Sequence, residues 1–139
     1  MDAPEEQRSP LRDRIAMVLM LLLAAMSVYV AVDSFLSFGT VEPNSRGVEA
    51  WRMFGYLVFA GLFAAVGLLP RRMTGIWELI LLHKAGTAAW LAPYIGTDSG
   101  APITKQLGTV VWNDVLLVVV TLTAYVLARG WRAWRRRGD

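Results

Sequence analysis

An all-α, polytopic membrane protein is the fold class that this sequence predicts, and three observations predict it. Hydrophobic residues make up 55% of the 139 residues and the mean hydropathy is +0.44, above what a soluble domain of this size carries. The apolar residues gather in four runs, at about 15–38, 50–69, 76–93 and 107–128, each near the ~20 residues that carry a helix across ~30 Å of hydrocarbon. Finally, the basic residues are unevenly placed. With both termini on one side, that side holds ten arginines (8, 12, 14, 71, 72, 129, 132, 135, 136 and 137) against Arg46, Arg52 and Lys105 on the other, which makes the side with the termini cytoplasmic. The expectation is a four-transmembrane-helix bundle of left-handed packing, multi-pass in a bacterial inner membrane, with both termini cytoplasmic.

Residues 1–14, MDAPEEQRSPLRDR, read as a polar cytoplasmic arm, because prolines and alternating charges give it no apolar face to bury. The run at 15–38 is longer than the hydrophobic region of a signal peptide and no small-residue cleavage pattern follows it, so it reads as a retained helix. Near its far end Tyr29, Asp33 and Ser37 fall at i, i+4 and i+8, one polar stripe on an apolar helix. Asp33 is close enough to the boundary for a wet interfacial position, with a further polar site as the alternative. GTVEPNSRGVE forms a turn-rich loop, and helix 2 follows with Trp51 and Arg52 at its interface. Ala60/Ala64 and Gly61/Ala65 place small residues four apart, which lets a neighbouring helix approach closely. Pro70-Arg71-Arg72 closes helix 2, and the short connection to Ile76 predicts an antiparallel hairpin with helix 3.

Helix 3, IWELILLHKAGTAAWLAP, carries the chemistry that an apolar span does not need. A charge at the centre of a spanning helix costs roughly 2.5–3.5 kcal/mol on insertion scales, so such a residue faces protein or a watery cavity. At 100° per residue His83, Gly86, Thr87, Trp90 and Tyr94 share a face with Lys84 on its flank, while Glu78 lies elsewhere, in the first turn near Arg71 and Arg72. Glu78 is therefore either an interfacial residue beside arginines or part of an additional polar site. After the loop YIGTDSGAPITKQ, helix 4 places Asp114, Thr121 and Tyr125 on one face, with Asn113 beside Asp114 and Trp112 directed elsewhere. Lys84 can stretch ~6 Å toward Asp114, and pairing would explain how both charges survive burial. Residues 129–139, RGWRAWRRRGD, alternate Trp and Arg as an interfacial anchor does on anionic lipid headgroups; no nucleic-acid partner is expected of a basic run joined directly to a span.

Absence of Cys excludes disulfides, thiolate nucleophiles and cysteine metal sites, and a single His argues against a histidine-rich metal centre. No phosphate-binding loop, dinucleotide fingerprint, serine elbow or HExxH helix is present, and no cofactor or metal is expected. What remains is a polar intramembrane site between helices 3 and 4. His83 and Asp114 are its candidate proton-transferring groups, and Lys84, Thr87, Trp90, Trp112, Asn113, Thr121 and Tyr125 its candidate binding residues. Three functions fit: binding a small apolar or amphipathic molecule, with acid/base chemistry of the isomerisation or cyclisation type as an extension; a non-catalytic accessory or assembly subunit of a larger membrane complex; and a proton or solute path through a homo-oligomer.

The four-helix layout, the short chain and the segment WRMFGYLVFAGLFAAVGLLPRR followed by WELILLHKAG resemble the DoxX-like group of small bacterial membrane proteins. The resemblance covers helices 2 and 3 and carries no catalytic motif, so it implies the fold; the redox and quinone-linked associations of that group are not transferred, and the lack of Cys speaks against thiol redox chemistry.

Overall fold

The computed structural model describes residues 10–95 and 102–135, with side chains placed outside 102–106. Five α-helices carry the chain: α1 (Pro10–Ser37), α2 (Arg46–Leu68), α3 (Ile76–Leu91), α4 (Pro102–Ala128) and the short α5 (Arg132–Arg135). Single 3-10 turns at Phe38–Thr40, Pro43–Ser45 and Ala92–Tyr94 fill the connections, and no strand occurs among the described residues. Three segments, Pro10–Thr40, Pro43–Leu68 and Leu107–Ala128, are long and apolar enough to cross a membrane. At 16 residues α3 spans only about 24 Å.

Helix ends differ from the apolar runs because hydropathy marks what lipid or core accepts, whereas helix start signals lie in the polar flanks. Pro10 opens α1 five residues before the run at 15–38, its fixed φ suiting a first turn whose amides need no partner there. Residues 10–14, expected in the mobile arm, are therefore helical, and Asp13 sits in the first turn, where a carboxylate is favoured. Pro102 opens α4 in the same way, ahead of the run at 107–128. α3 ends just before Pro93: Ala92 still has α-region dihedrals, φ −51° and ψ −42°, but proline has no N–H to continue the helical ladder, and the chain tightens into the Ala92–Tyr94 turn.

Between α2 and α3 the chain reverses through Gly75, whose φ of +83° is a left-handed conformation that costs a side chain roughly 1–2 kcal/mol. The hairpin forms at the turn, yet α2 and α3 meet least of the neighbouring helices; α1 packs chiefly on α2, α3 on α4, and α1 on α4. Close approach of α1 and α2 uses Gly67, where a Cβ would meet Met20 Cβ at 3.0 Å, whereas Gly61 faces open space. Ala60 is buried and Ala64 and Ala65 half-buried, so of the expected small-residue pairs only the Ala60/Ala64 side contributes to packing.

Buried residues recur every seven positions: Met20, Ser27 and Ser34; Ala60 and Gly67; Trp77 and Lys84; Asp114, Thr121 and Ala128. That is the period of coiled helix packing. Along it the character of the seam changes. Arg71, in the α2–α3 turn, bonds both Asp13 at the start of α1 and the Ala128 carbonyl at the end of α4, so the first and last of the described residues lie toward this end. Near it the core is apolar, built from Met20, Leu23, Phe63, Val66, Trp77 and Ile80 with Ala124 and Ala128. Toward the opposite end, where the two loops lie, the buried residues are Ser27, Ala31, Ser34, Lys84, Ala88, Val111 and Asp114, small or polar apart from Val111.

Candidate functional site

Lys84 is the ninth of the sixteen residues of α3, and its Nζ lies 3.0 Å from Asp114 Oδ1. Both side chains are about nine-tenths buried, at 10% and 9% exposure, so each charge is held by the other rather than by water. Such a pair adds little net stability over an apolar one, but removing one partner strands the other at roughly 3–5 kcal/mol. The ammonium also sits 4.4 Å from the centroid of the Phe59 ring on α2, a cation–π contact. His83 stacks on that same ring, centroids 4.7 Å apart and tilted by 57°. Phe59 is thus the point at which α2 touches the polar residues of α3.

The face expected to line a site on α3 is turned the other way. Trp77, Ile80, Lys84 and Ala88 point into the protein, where Trp77 bonds the Pro70 carbonyl and Lys84 pairs with Asp114, and this leaves His83, Gly86 and Trp90 exposed and Thr87 half-buried. Thr87 donates its hydroxyl to the His83 carbonyl at 2.8 Å and so caps its own helix backbone. On α4 Asp114 and Thr121 are buried as the shared face implies, Asn113 is exposed, and Trp112, 71% exposed, faces away from the pair. The structure therefore unites Lys84 and Asp114, keeps His83 beside them through Phe59, and leaves Trp90 and Trp112 outside. His83 lies close enough to Lys84 and Asp114 for both charges to act on it. The stripe on α1 faces outward too: Tyr29 and Asp33 are exposed, and Ser37 donates to the Asp33 carbonyl at 2.8 Å.

A second polar cluster, which the spacing on α4 alone did not separate from the first, occupies the end with the termini. Tyr125 leaves the Asp114 side and donates its hydroxyl to Glu78 Oε1 at 2.9 Å, and the indole of Trp134 donates to the same oxygen at 3.1 Å. Glu78 thus takes hydrogen bonds from an α4 tyrosine and a tail tryptophan, while Arg71 bonds Asp13 and the Ala128 carbonyl. Its other oxygen, Oε2, is buried and has no hydrogen-bond partner, as is the hydroxyl of Thr121 one turn before Tyr125 on α4. The tail reaches Glu78 through a reversal at the end of α4. Arg129 adopts φ +53°, its N–H bonds the Val126 carbonyl, and the Gly130 N–H bonds the Tyr125 carbonyl, the paired bonds of a Schellman ending. Gly130 is required sterically: a Cβ there would lie 2.7 Å from Tyr125 Cε2 and 3.0 Å from Trp77 Nε1. Trp77 donates that Nε1–H to the Pro70 carbonyl at 2.9 Å, and Thr74 donates to the Ala133 carbonyl at 3.2 Å. Residues 129–135 are accordingly docked on the protein, with Ala133 buried; residues 136–139, the rest of the expected tail, lie outside the described residues, as do residues 1–9 of the expected arm.

Two participants had readable signals that went unused. Phe59 lies thirteen residues before Arg72 and Lys84 twelve after it, so an antiparallel hairpin sets them at equal depth. Gly130, just past the apolar run, marked a chain reversal that returns the tail to the start of α3. Compared with known proteins, the chain matches no family model, no curated protein and no solved structure.

Proposed function

We propose that the chain is a four-span integral membrane protein of a bacterial inner membrane, α3 included, with both termini cytoplasmic, and that its half nearer the loops binds a small amphipathic molecule without transforming it. The arginine bias supports the orientation, the seven-residue spacing supports left-handed packing, and kinship to the DoxX-like group belongs to the same proposal. Carrying the functional reading is one observation: at mid-length an exposed imidazole rests on Phe59 beside a buried ion pair, in the half where, among the described residues, Val111 is the largest buried apolar side chain. An imidazole facing hydrocarbon without a partner is costly, and a head group that hydrogen-bonds it, with its chain along α2 and α3, removes that cost. Acid/base chemistry is left out of this reading, because the Asp114 carboxylate is held by the Lys84 ammonium at 3.0 Å and the His83 ring makes its contact with Phe59.

The experiment is purification in mild detergent followed by mass spectrometry of copurified small molecules. A molecule retained by the wild type and by Trp112→Ala, but lost from His83→Ala and Phe59→Ala, is the expected result. The accessory-subunit reading is favoured by a different observation, the direct 3.0 Å contact of Lys84 with Asp114, which fastens α3 to α4 with no group between them. Stable stoichiometric copurification of a larger membrane complex, with no bound small molecule, replaces the first reading by the second. Orientation is tested separately. The Cys-free chain allows Ser45→Cys and Ser99→Cys to be labelled from either side, and labelling from the cytoplasmic side alone overturns the topology.

A further inference from the structure

We propose that the docked tail, residues 130–135, is a clasp on the end of the α3/α4 pair that anionic lipid headgroups release. Among the contacts that hold it are Trp134 Nε1 on Glu78 Oε1 at 3.1 Å, Thr74 Oγ1 on the Ala133 carbonyl at 3.2 Å, the Trp131 ring on that of Tyr125 with centroids 5.7 Å apart, and the burial of Ala133 itself. Two features make it a releasable clasp rather than a staple. Glu78 is only half satisfied while the tail is in place, since Oε2 is buried without a hydrogen-bond partner; lifting the tail admits water to that oxygen, so part of the cost of release is returned. The clasp also carries the charge that a headgroup attracts. Arg135 and Trp134 are exposed on α5 and Trp131 is exposed before it, and the sequence continues directly into Arg136 and Arg137. Attraction of three arginines to an anionic surface, about 1 kcal/mol each, is of the same order as two side-chain hydrogen bonds and one ring contact, so lipid composition decides the balance. In the released state Trp131 and Trp134 lie at the headgroup level, where amphipathic rings are favoured, and Tyr125 alone remains on Glu78. The ligand class is the anionic phospholipid headgroup. This inference rests on the membrane orientation proposed above.

The test uses Ala133→Cys in the full chain, reconstituted in nanodiscs and labelled with an uncharged water-soluble thiol reagent. Labelling is expected to be slow in zwitterionic lipid and about tenfold faster with anionic lipid present, the scale of a local opening equilibrium shifted by one charge-assisted contact. Trp134→Phe in the same background is expected to label fast in both lipids. The triple change Arg135→Gln, Arg136→Gln and Arg137→Gln is expected to stay slow in both, and high salt to restore slow labelling in anionic lipid. Equal rates in the two lipids, slow labelling of the Trp134→Phe background, or release by inorganic phosphate in zwitterionic discs each overturn the proposal. Should Ala133→Cys itself fail to seat, trypsin cleavage after Arg132 in the unmodified chain reads the same opening, and lipid-independent cleavage overturns it. Sidedness of Ser45→Cys labelling reports a failure of the orientation separately from a failure of the clasp.

Discussion

Both halves of this helical protein bury residues at the same seven-residue interval, yet they fill those positions with opposite chemistry. Toward the α2–α3 turn it selects Met20 and Trp77, with Phe63 and Val66 buried between its positions on α2. Toward the loops it selects Ser27, Ser34, Lys84 and Asp114. Large apolar groups hold helices by packing, which tolerates small displacements. An ion pair out of water holds them by a geometry that fails once either charge is removed. The first half is accordingly the mechanical base, and it gathers the cross-links from Arg71, Trp77 and Glu78. In the second half α3 and α4 are joined by the ion pair, while α2 is linked to α3 through the Phe59 ring.

Substitutions that empty the packed half are expected to have the largest effect. Phe63→Ala and Trp77→Ala should each cost about 3–5 kcal/mol, while Ser34→Ala in the other half should cost less than about 1 kcal/mol; thermal melts in detergent compare them, and similar losses at the three sites would dissolve the distinction. Next comes Gly130→Ala. The added methyl must displace the Tyr125 ring from Glu78, at about 1–3 kcal/mol for overpacking, and Tyr125→Phe in the same background should not relieve it, because the clash is with the ring and not the hydroxyl. Smaller again is Trp134→Phe, which removes one donor to Glu78 at a site water can reach, about 0.5–1.5 kcal/mol in the same melts. His83→Ala is expected at the bottom of the scale, within about 0.5–1 kcal/mol as a surface change. It should nevertheless abolish retention of the copurified molecule, and a large stability loss would instead make His83 a packing residue.

Reading the sequence located the helical class and the apolar runs, since both follow from composition along a line. It also brought Lys84 and Asp114 together, because two charges in apolar helices have few other partners. Rotation of α3 was not legible from its polar residues. Their shared face implies that His83, Thr87 and Trp90 turn inward together, whereas the inward row is Trp77, Ile80, Lys84 and Ala88, with Lys84 held there by Asp114 and His83 left out. Tyr125 was placed with Asp114 for a related reason. A shared face on α4 says nothing about which partner waits at each level, and at that level the partner is Glu78, delivered by α3, with Trp134 delivered by a chain reversal. Pro10 and Pro102 were visible start signals that hydropathy alone overrode.

The contrast between the halves rests most directly on the pair at 3.0 Å, and a double-mutant cycle measures it. Lys84→Met and Asp114→Leu, singly, should each lower stability by roughly 3–5 kcal/mol by stranding a buried charge, and the two together should return close to the wild-type value. A coupling of that size would mean that each charge is tolerated in the loop half only because the other is there. Additive effects in the cycle, or singles that are neutral, would mean that neither charge depends on the other and would contradict the account.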